Sequence, residues 1–251
     1  MSNIFLSREL VPFRHTSPQP GRAETGVAII ARQLAIAMLE GEYPPGALLP
    51  GEHELAERFD SSRSSIRESL KALAAKGMIE ARKKAGTRVR PRADWQMLDR
   101  DLLGWRLEVG PERRFAEDLL SLREAIEPAA AAAAAAHQDR EAIARIGEAF
   151  AEMEAAGPDR SRFAGPDLRF HKAILAASGN EFMMGFGAMI EAALAAFITI
   201  SLRHSEAPLP SVPLHGDVLR AITAGDAEAA RAAMLKLLAR TRSNIAKDIA
   251  E

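Results

Sequence analysis

Residues 41–89 read GEYPPGALLPGEHELAERFDSSRSSIRESLKALAAKGMIEARKKAGTRV, and this stretch decides the fold. Leu55, Ala56 and Phe59 recur at helical spacing and give a short first helix an inward stripe. Asp60, Ser61 and Ser62 then break the periodicity; each side chain bonds local backbone groups and so favours turns and N-caps. The second helix that follows is predicted to bury Ile66, Leu70, Leu73 and Ala74. Its opposite face aligns Arg63, Arg67 and Lys71 at i, i+4 and i+8, with Ser64 and Ser65 near its start. Ile79–Arg82 and Thr87–Arg90 are short β-capable runs around Lys83, Lys84, Ala85 and Gly86, the glycine supplying a positive φ for the turn. Short helix, turn, basic helix and basic hairpin is the order of a winged helix-turn-helix, a module that sets a helix in the major groove of DNA.

Charge agrees with that reading. Three cations on one helix face also admit the plainer reading of a solvated face. From Ser61 to Pro91, however, Arg63, Arg67, Lys71, Lys76, Arg82, Lys83, Lys84, Arg88 and Arg90 stand against Glu68 and Glu80, a net +7 in a chain whose formal charge is −1. One strongly basic segment in a nearly neutral chain is the localised footprint that phosphate binding requires.

At these residues the chain resembles the GntR family of bacterial transcription regulators. The match runs through Pro45-Gly46, Leu49-Pro50, Glu54-Leu55-Ala56, Ser62-Arg63, Ile66-Arg67-Glu68, Leu70, Leu73, Lys76-Gly77 and Gly86-Thr87. The resemblance implies that Arg63 and Arg67 touch bases or phosphates and that the wing tip, around Lys83, Lys84, Gly86 and Thr87, enters the minor groove. It also implies a DNA contact from the first helix at His53, where the family commonly has arginine.

The 251 residues give room for two domains, and the absence of cysteine excludes a disulfide framework and thiolate chemistry. Residues 1–23 are polar and proline-bearing and read as a disordered arm rather than a signal peptide. The DNA-binding domain is expected over 24–91, a connector over 92–111 and an all-helical domain over 112–251. Helices are predicted at Phe115–His137, which contains the unbroken alanine run Ala129–Ala136, and at Arg140–Ala155, Arg160–Ala177, Glu181–Arg203, Leu214–Ala224 and Ala227–Ile249. The fold class is therefore mainly α: a winged helix-turn-helix followed by an antiparallel all-α bundle. Phe182–Leu202 approaches the length of a membrane span, but its small residues and its central carboxylate, Glu191, favour a helix buried in the bundle. No membrane partner is expected, and the cytoplasm is the expected compartment.

Polar residues among the bundle's apolar stripes supply a second functional clue. Asp167 and His171, at i and i+4, project from one helix face, and His215 opens another helix. A carboxylate and two imidazoles on facing helices suit a divalent metal with water completing the shell; a histidine satisfied within the core is the plainer alternative. Leu122-Arg123-Glu124-Ala125-Ile126-Glu127-Pro128, Asp167-Leu168-Arg169-Phe170-His171, Ser178-Gly179-Asn180, His215 and Ala221-Ile222-Thr223-Ala224-Gly225-Asp226 resemble the FCD effector domain, which places the chain with the FadR subfamily of GntR regulators. The resemblance implies zinc or nickel held by an aspartate, the histidine one turn later and two further histidines. Asp167, His171 and His215 match the first three; Leu237 stands where the fourth falls, so the implied site is incomplete.

The connector WQMLDRDLLGWRLEVGPERRF resembles that of DgoR-type repressors, which implies a hexonate-like effector. A polyhydroxy acid needs a cation for its carboxylate and several hydrogen-bonding groups for its hydroxyls. Arg123 is the first candidate cation, with Asn180, Ser201 and Arg203 as further effector contacts. Arg123 in a salt bridge with Glu127 or Asp167, and Asn180 as a helix C-cap, are the structural alternatives. Operator DNA, a small carboxylate and a second copy of the chain are the expected partners, since palindromic half-sites require two readers. The functional expectation is a ligand-responsive regulator, a repressor and not an enzyme. A metal-dependent hydrolase-like bundle fused to a DNA-binding module, and a constitutive DNA-binding dimer, are the other two classes weighed.

Overall fold

The computed structural model describes residues 25–82, 85–110, 113–157, 159–201 and 212–247. The expected arm at 1–23 and the wing-tip lysines Lys83 and Lys84 lie outside them, as does Arg203.

The reader begins with a helix that no motif announced. α1 (Gly26–Leu39) starts at Thr25, whose side chain accepts from the Ala28 amide, and buries Ile30, Ala31, Leu34, Ala35, Ala37 and Met38. α2 (Glu52–Arg58) and α3 (Arg63–Ala75) form the helix-turn-helix, with Ser62 capping α3 by accepting from the Ser65 amide at 3.1 Å. Asp60 takes a positive φ of 45° in the turn, a conformation that aspartate tolerates better than most residues. β1 (Ile79–Arg82) and β2 (Gly86–Val89) pair antiparallel, Ile79 opposite Val89. Residues 46–49 run along β2 as a third partner, Leu49 N donating to Thr87 O at 2.9 Å and Val89 N to Ala47 O at 2.9 Å.

One inward position of α3 departs from its expected pattern. Ile66 and Leu73 are buried and Leu70 is half-buried, but Ala74 is exposed and Ser69 takes the inward place. The Ser69 hydroxyl can go inside because it has acceptors there: it bonds Val27 O at 2.8 Å and Ser65 O at 2.9 Å, tying α3 to α1.

The connector is also helical. α4 (Arg100–Val109) is capped by Asp99, which accepts from the Asp101 and Leu102 amides. Its faces serve two cores. Leu102 and Trp105 join the apolar core of the reader, whereas Leu103 joins that of the bundle.

The bundle comprises α5 (Arg113–His137), α6 (Arg140–Ala156), α7 (Arg160–Ala177), α8 (Glu181–Met184), α9 (Gly187–Ser201), α10 (Val212–Thr223) and α11 (Ala227–Lys247). α5 packs against α7, α9, α10 and α11, and α7 against α5, α6, α8 and α9, so these two helices form the middle. Ala130, Ala131, Ala134 and Ala135 of the alanine run are fully buried there.

The helix expected over Glu181–Arg203 is two helices. Asn180 opens the short α8, the chain turns at Gly185–Phe186, and α9 restarts at Gly187, where a Cβ would come within 3.3 Å of the Lys172 side chain. Among the described residues no helix is long and apolar enough to cross a membrane.

Candidate functional site

Two groups of side chains bear on function, one on the surface of the reader and one sealed in the bundle. On the reader, Arg63, Ser64, Arg67 and Lys71 are exposed along α3, as the periodicity requires. They are less free than the sequence implied. Arg67 Nε donates to Glu52 of α2 at 2.7 Å, and Lys71 Nζ donates to Glu68 at 2.8 Å. Ser65 bonds the Ser62 hydroxyl at 2.9 Å, and His53 Nδ1 lies 3.6 Å from Glu57, both His53 and Glu57 being largely exposed. Exposed pairs of this kind contribute roughly 0–1 kcal/mol, so a phosphate can take over their cations at little cost. Gly86 opens β2 with φ of 82°, and Thr87 is half-buried behind it.

The basic footprint is smaller than its count. Lys76 turns inward onto Asp99 and Asp101. Arg90 pairs with Asp94 at 3.2 Å and Arg82 with Glu80 at 2.7 Å, while Arg88 donates to the carbonyl of Gly46. Sequence counting missed these pairings because most partners come from the connector, from α2 or from the loop before it.

In the bundle, α5 turns a guanidinium and a carboxylate into its own apolar stripe. Arg123 and Glu127 are each 1 % exposed, whereas the neighbouring Leu122 and Ile126 are only half-buried. Spacing of i, i+4 lets Arg123 Nε donate to Glu127 Oε1 at 2.5 Å. From α7, His171 Nδ1 stands 2.6 Å from Glu127 Oε2, and Arg123 Nη2 stands 3.2 Å from His171 Nε2. This network assigns the proton of His171 to Nδ1, directed at Glu127, and leaves Nε2 facing Arg123 and Asp167.

Asp167, one turn before His171, completes the group with His215 from α10. Its Oδ1 lies 2.9 Å from His215 Nε2 and 3.5 Å from His171 Nε2. Neither approach has the alignment of a good hydrogen bond, and Oδ1 is a buried acceptor with no donor in line. Phe163 and Phe170 make T-shaped ring contacts with His215, at centroid distances of 5.9 and 5.2 Å.

Electrostatics in this pocket favour the charged forms. Burial works to raise Glu127, but Arg123 and His171 outweigh it and hold the carboxyl at about 2. Burial likewise opposes ionisation of Asp167, and the two imidazoles hold it well below the carboxylate range. His171 is pushed up: burial acts against its charged form and Arg123 repels it, but Glu127 and Asp167 prevail.

The donor set fits a metal. One ligand atom each from Asp167, His171 and His215 lies within 4.8 Å of the others. A buried carboxylate oxygen without an aligned donor, facing two imidazole nitrogens, is a donor arrangement that suits a divalent cation. Were His171 a ligand, Glu127 would orient it from the far side of the ring, a role for which sequence reading had not proposed it. Leu237 is 3 % exposed and belongs to the apolar core, so it offers no fourth ligand.

Of the further effector candidates, Asn180 alone lies among the described residues with its side chain. Asn180 is exposed and accepts from the Phe182 and Met183 amides, which makes it the N-cap of α8 rather than a C-cap. The side chain of Ser201 and the whole of Arg203 lie outside the described residues.

Comparison with known proteins fits both halves. Residues 28–89 match the model described as "Bacterial regulatory proteins, gntR family", and residues 118–240 match the FCD domain. The chain is 34% identical over 212 residues to the Escherichia coli HTH-type transcriptional regulator YieP, covering 84% of this chain and 91% of the relative. It is 34% identical over 203 residues to the galactonate operon transcriptional repressor of the same organism, covering 80% of this chain and 89% of the relative. A solved structure titled "Lar controls the expression of the Listeria monocytogenes agr system and mediates virulence" shares the fold, with a TM-score of 0.60 at 18% identity over 90% of this chain and 99% of that one. The relatives are regulators rather than enzymes, and the chain belongs to the GntR family of bacterial transcription regulators, a DNA-binding protein whose helical half is an FCD domain.

Proposed function

We propose that this chain is a homodimeric, cytoplasmic repressor of a sugar-acid or other carboxylate catabolic operon, released from its operator by a hexonate-like carboxylate. The observation that carries the reading is the sealed Arg123–Glu127–His171–Asp167–His215 cluster inside a bundle attached to a DNA reader. Burying such groups in a domain that only dimerises is costly, whereas a site for an anionic effector gives them a task. The similarity to the galactonate operon repressor favours a hexonate among carboxylates.

The division of labour follows the two groups of side chains. The reader occupies 24–91, and His53, Arg63, Ser64, Ser65, Arg67 and Lys71 face DNA with the wing at Lys83, Lys84, Gly86 and Thr87. The connector spans 92–111, and the effector-binding and dimerising part spans 112–251. Asp167, His171 and His215 would hold a divalent metal, zinc or nickel, which would supply a Lewis acid for a carboxylate and its adjacent hydroxyl. Arg123 neutralises the effector's charge. With both imidazoles neutral, as metal ligands must be, Arg123 against Glu127 and Asp167 leaves −1 before the charge of the metal itself is added. A divalent cation reverses that sign and makes metal and effector binding cooperative. Asn180, Ser201 and Arg203 remain the outer candidates for contact with the effector.

Thermal melting and calorimetry test this directly. D-galactonate is expected to raise Tm and bind the zinc- or nickel-loaded protein at least about tenfold more tightly than chelator-treated protein. Equal affinity with and without metal would remove the metal from the reading; no binding in either state would remove hexonates. Sedimentation at micromolar concentration should give a dimer, and a monomer that still binds a palindromic operator would contradict the assembly.

A further inference from the structure

The end of the recognition helix is built into the start of the connector helix. Lys76 caps α3, and its side chain is only 13 % exposed. Its Nζ lies 2.7 and 2.9 Å from the two oxygens of Asp99 and 2.7 Å from Asp101 Oδ2, and it sits 5.5 Å above the Trp105 ring. Asp99 has a second task as the N-cap of α4, so one carboxylate joins the C-terminus of one helix to the N-terminus of the next. Backbone contacts reinforce the joint: Gln96 N donates to Lys76 O at 2.9 Å, and Gln96 Nε2 donates to Ala75 O at 2.8 Å. Gly77 has φ of 72°, and a Cβ there would fall 2.3 Å from Asp94 O.

The other end of the connection is equally defined. α4 packs on α1 and on α9, and α9 packs on the helices α5 and α7 that carry the buried cluster. Arg32 of α1 pairs with Glu108 near the end of α4, which fixes the connector along its length.

We propose that Lys76 is the positioning residue through which the helical bundle sets the recognition helix, its clamp on Asp99 and Asp101 making α3 and α4 move as one piece. The Lys76–Asp99 bridge, with side chains 13 and 25 % exposed and its carboxylate also capping a helix, resists independent motion of its two helices, unlike the exposed pairs on the DNA face, and the more exposed Asp101 adds a second contact from the same helix. A shift of α9 against α4 is thereby passed to α3 rather than absorbed between them. The proposal rests on the reading that the bundle controls the reader, and its test separates the two.

The variants are Lys76→Met, which keeps the stem on Trp105 but removes the charge, Lys76→Arg, and Asp101→Asn, which leaves the Asp99 cap intact. The first readout needs no effector. A random-sequence duplex of about 30 base pairs at low salt is bound, and amide exchange is followed in α9. In the wild type, DNA alters exchange in α9. Lys76→Met binds the duplex within about threefold of wild type yet loses the response in α9, Asp101→Asn weakens it at least about twofold, and Lys76→Arg restores it. The second readout is the factor by which D-galactonate lowers DNA affinity, expected at about 5–150-fold in the wild type and near one in Lys76→Met. If DNA shifts α9 but D-galactonate does nothing, the effector assignment fails and the joint stands. If DNA leaves wild-type α9 unchanged, if Asp101→Asn or a folded Lys76→Met responds as wild type does, or if Lys76→Met loses DNA binding itself, the proposal is overturned.

Discussion

The two halves of this molecule use charge in opposite ways. On the reader, Arg63, Arg67 and Lys71 stand in solvent, and their acidic neighbours are exposed as well. In the bundle, Arg123, Glu127 and His171 are almost wholly enclosed and bonded to one another. Exposed charges are interchangeable with solvent ions and hold little folding energy, so they are available to a polyanion. Enclosed charges are committed to each other, and losing one partner strands the rest.

The largest effect should come from stranding a charge. Glu127→Ala leaves Arg123 buried without its carboxylate and should destabilise the fold by roughly 3–5 kcal/mol in urea unfolding. A loss below about 1 kcal/mol would mean that the enclosure is loose and the contrast between the halves is overstated. The reader offers the reverse case. Arg67→Ala should lower affinity for a specific operator by roughly 1–3 kcal/mol while leaving the unfolding midpoint nearly unchanged. A large drop in stability with DNA affinity intact would invert the assignment of roles.

Two smaller substitutions refine the picture. Ser62→Ala removes the cap of α3 and should cost about 1 kcal/mol of stability, which calorimetric melting can resolve. Arg145→Ala breaks an exposed i, i+4 pair with Glu141 on the bundle surface and should change stability by no more than about 0.5 kcal/mol. A clearly larger effect there would show that the bundle draws on its surface charges as well as its interior ones.

Legibility in the sequence divides along the same line. The helix-turn-helix and wing could be read because their residues lie within one short stretch, where spacing alone fixes which side chains share a face. α1 escaped because its apolar residues crowd most of its surface and carry no motif. α4 escaped because one of its faces serves each core, which blurs a single amphipathic stripe. In the bundle, Asp167, His171 and His215 were found as types at suitable spacing. Glu127 was seen only as a salt-bridge partner, because its bond to His171 joins residues 44 positions apart. The inward place given to Ala74 and the C-cap alternative for Asn180 failed for local reasons. A serine with two carbonyls to bond can displace an alanine from the interior, and an asparagine beside a helix end caps whichever helix its side chain faces.

The tightness around Gly77 has a geometric consequence. With no room for even a methyl group at the joint, the recognition helix is held at this end by the connector, as Ser69 holds its middle to α1. Its 13 residues make it about 20 Å long, and the end that carries Ser62 and Arg63 is the far one. A tilt of about 10° at the fixed end sweeps the tip through about 3 Å, the whole length of a hydrogen bond. If the joint passes such a tilt on, as proposed, a small displacement in the bundle would move the tip by a distance that matters to a contact with the edge of a base.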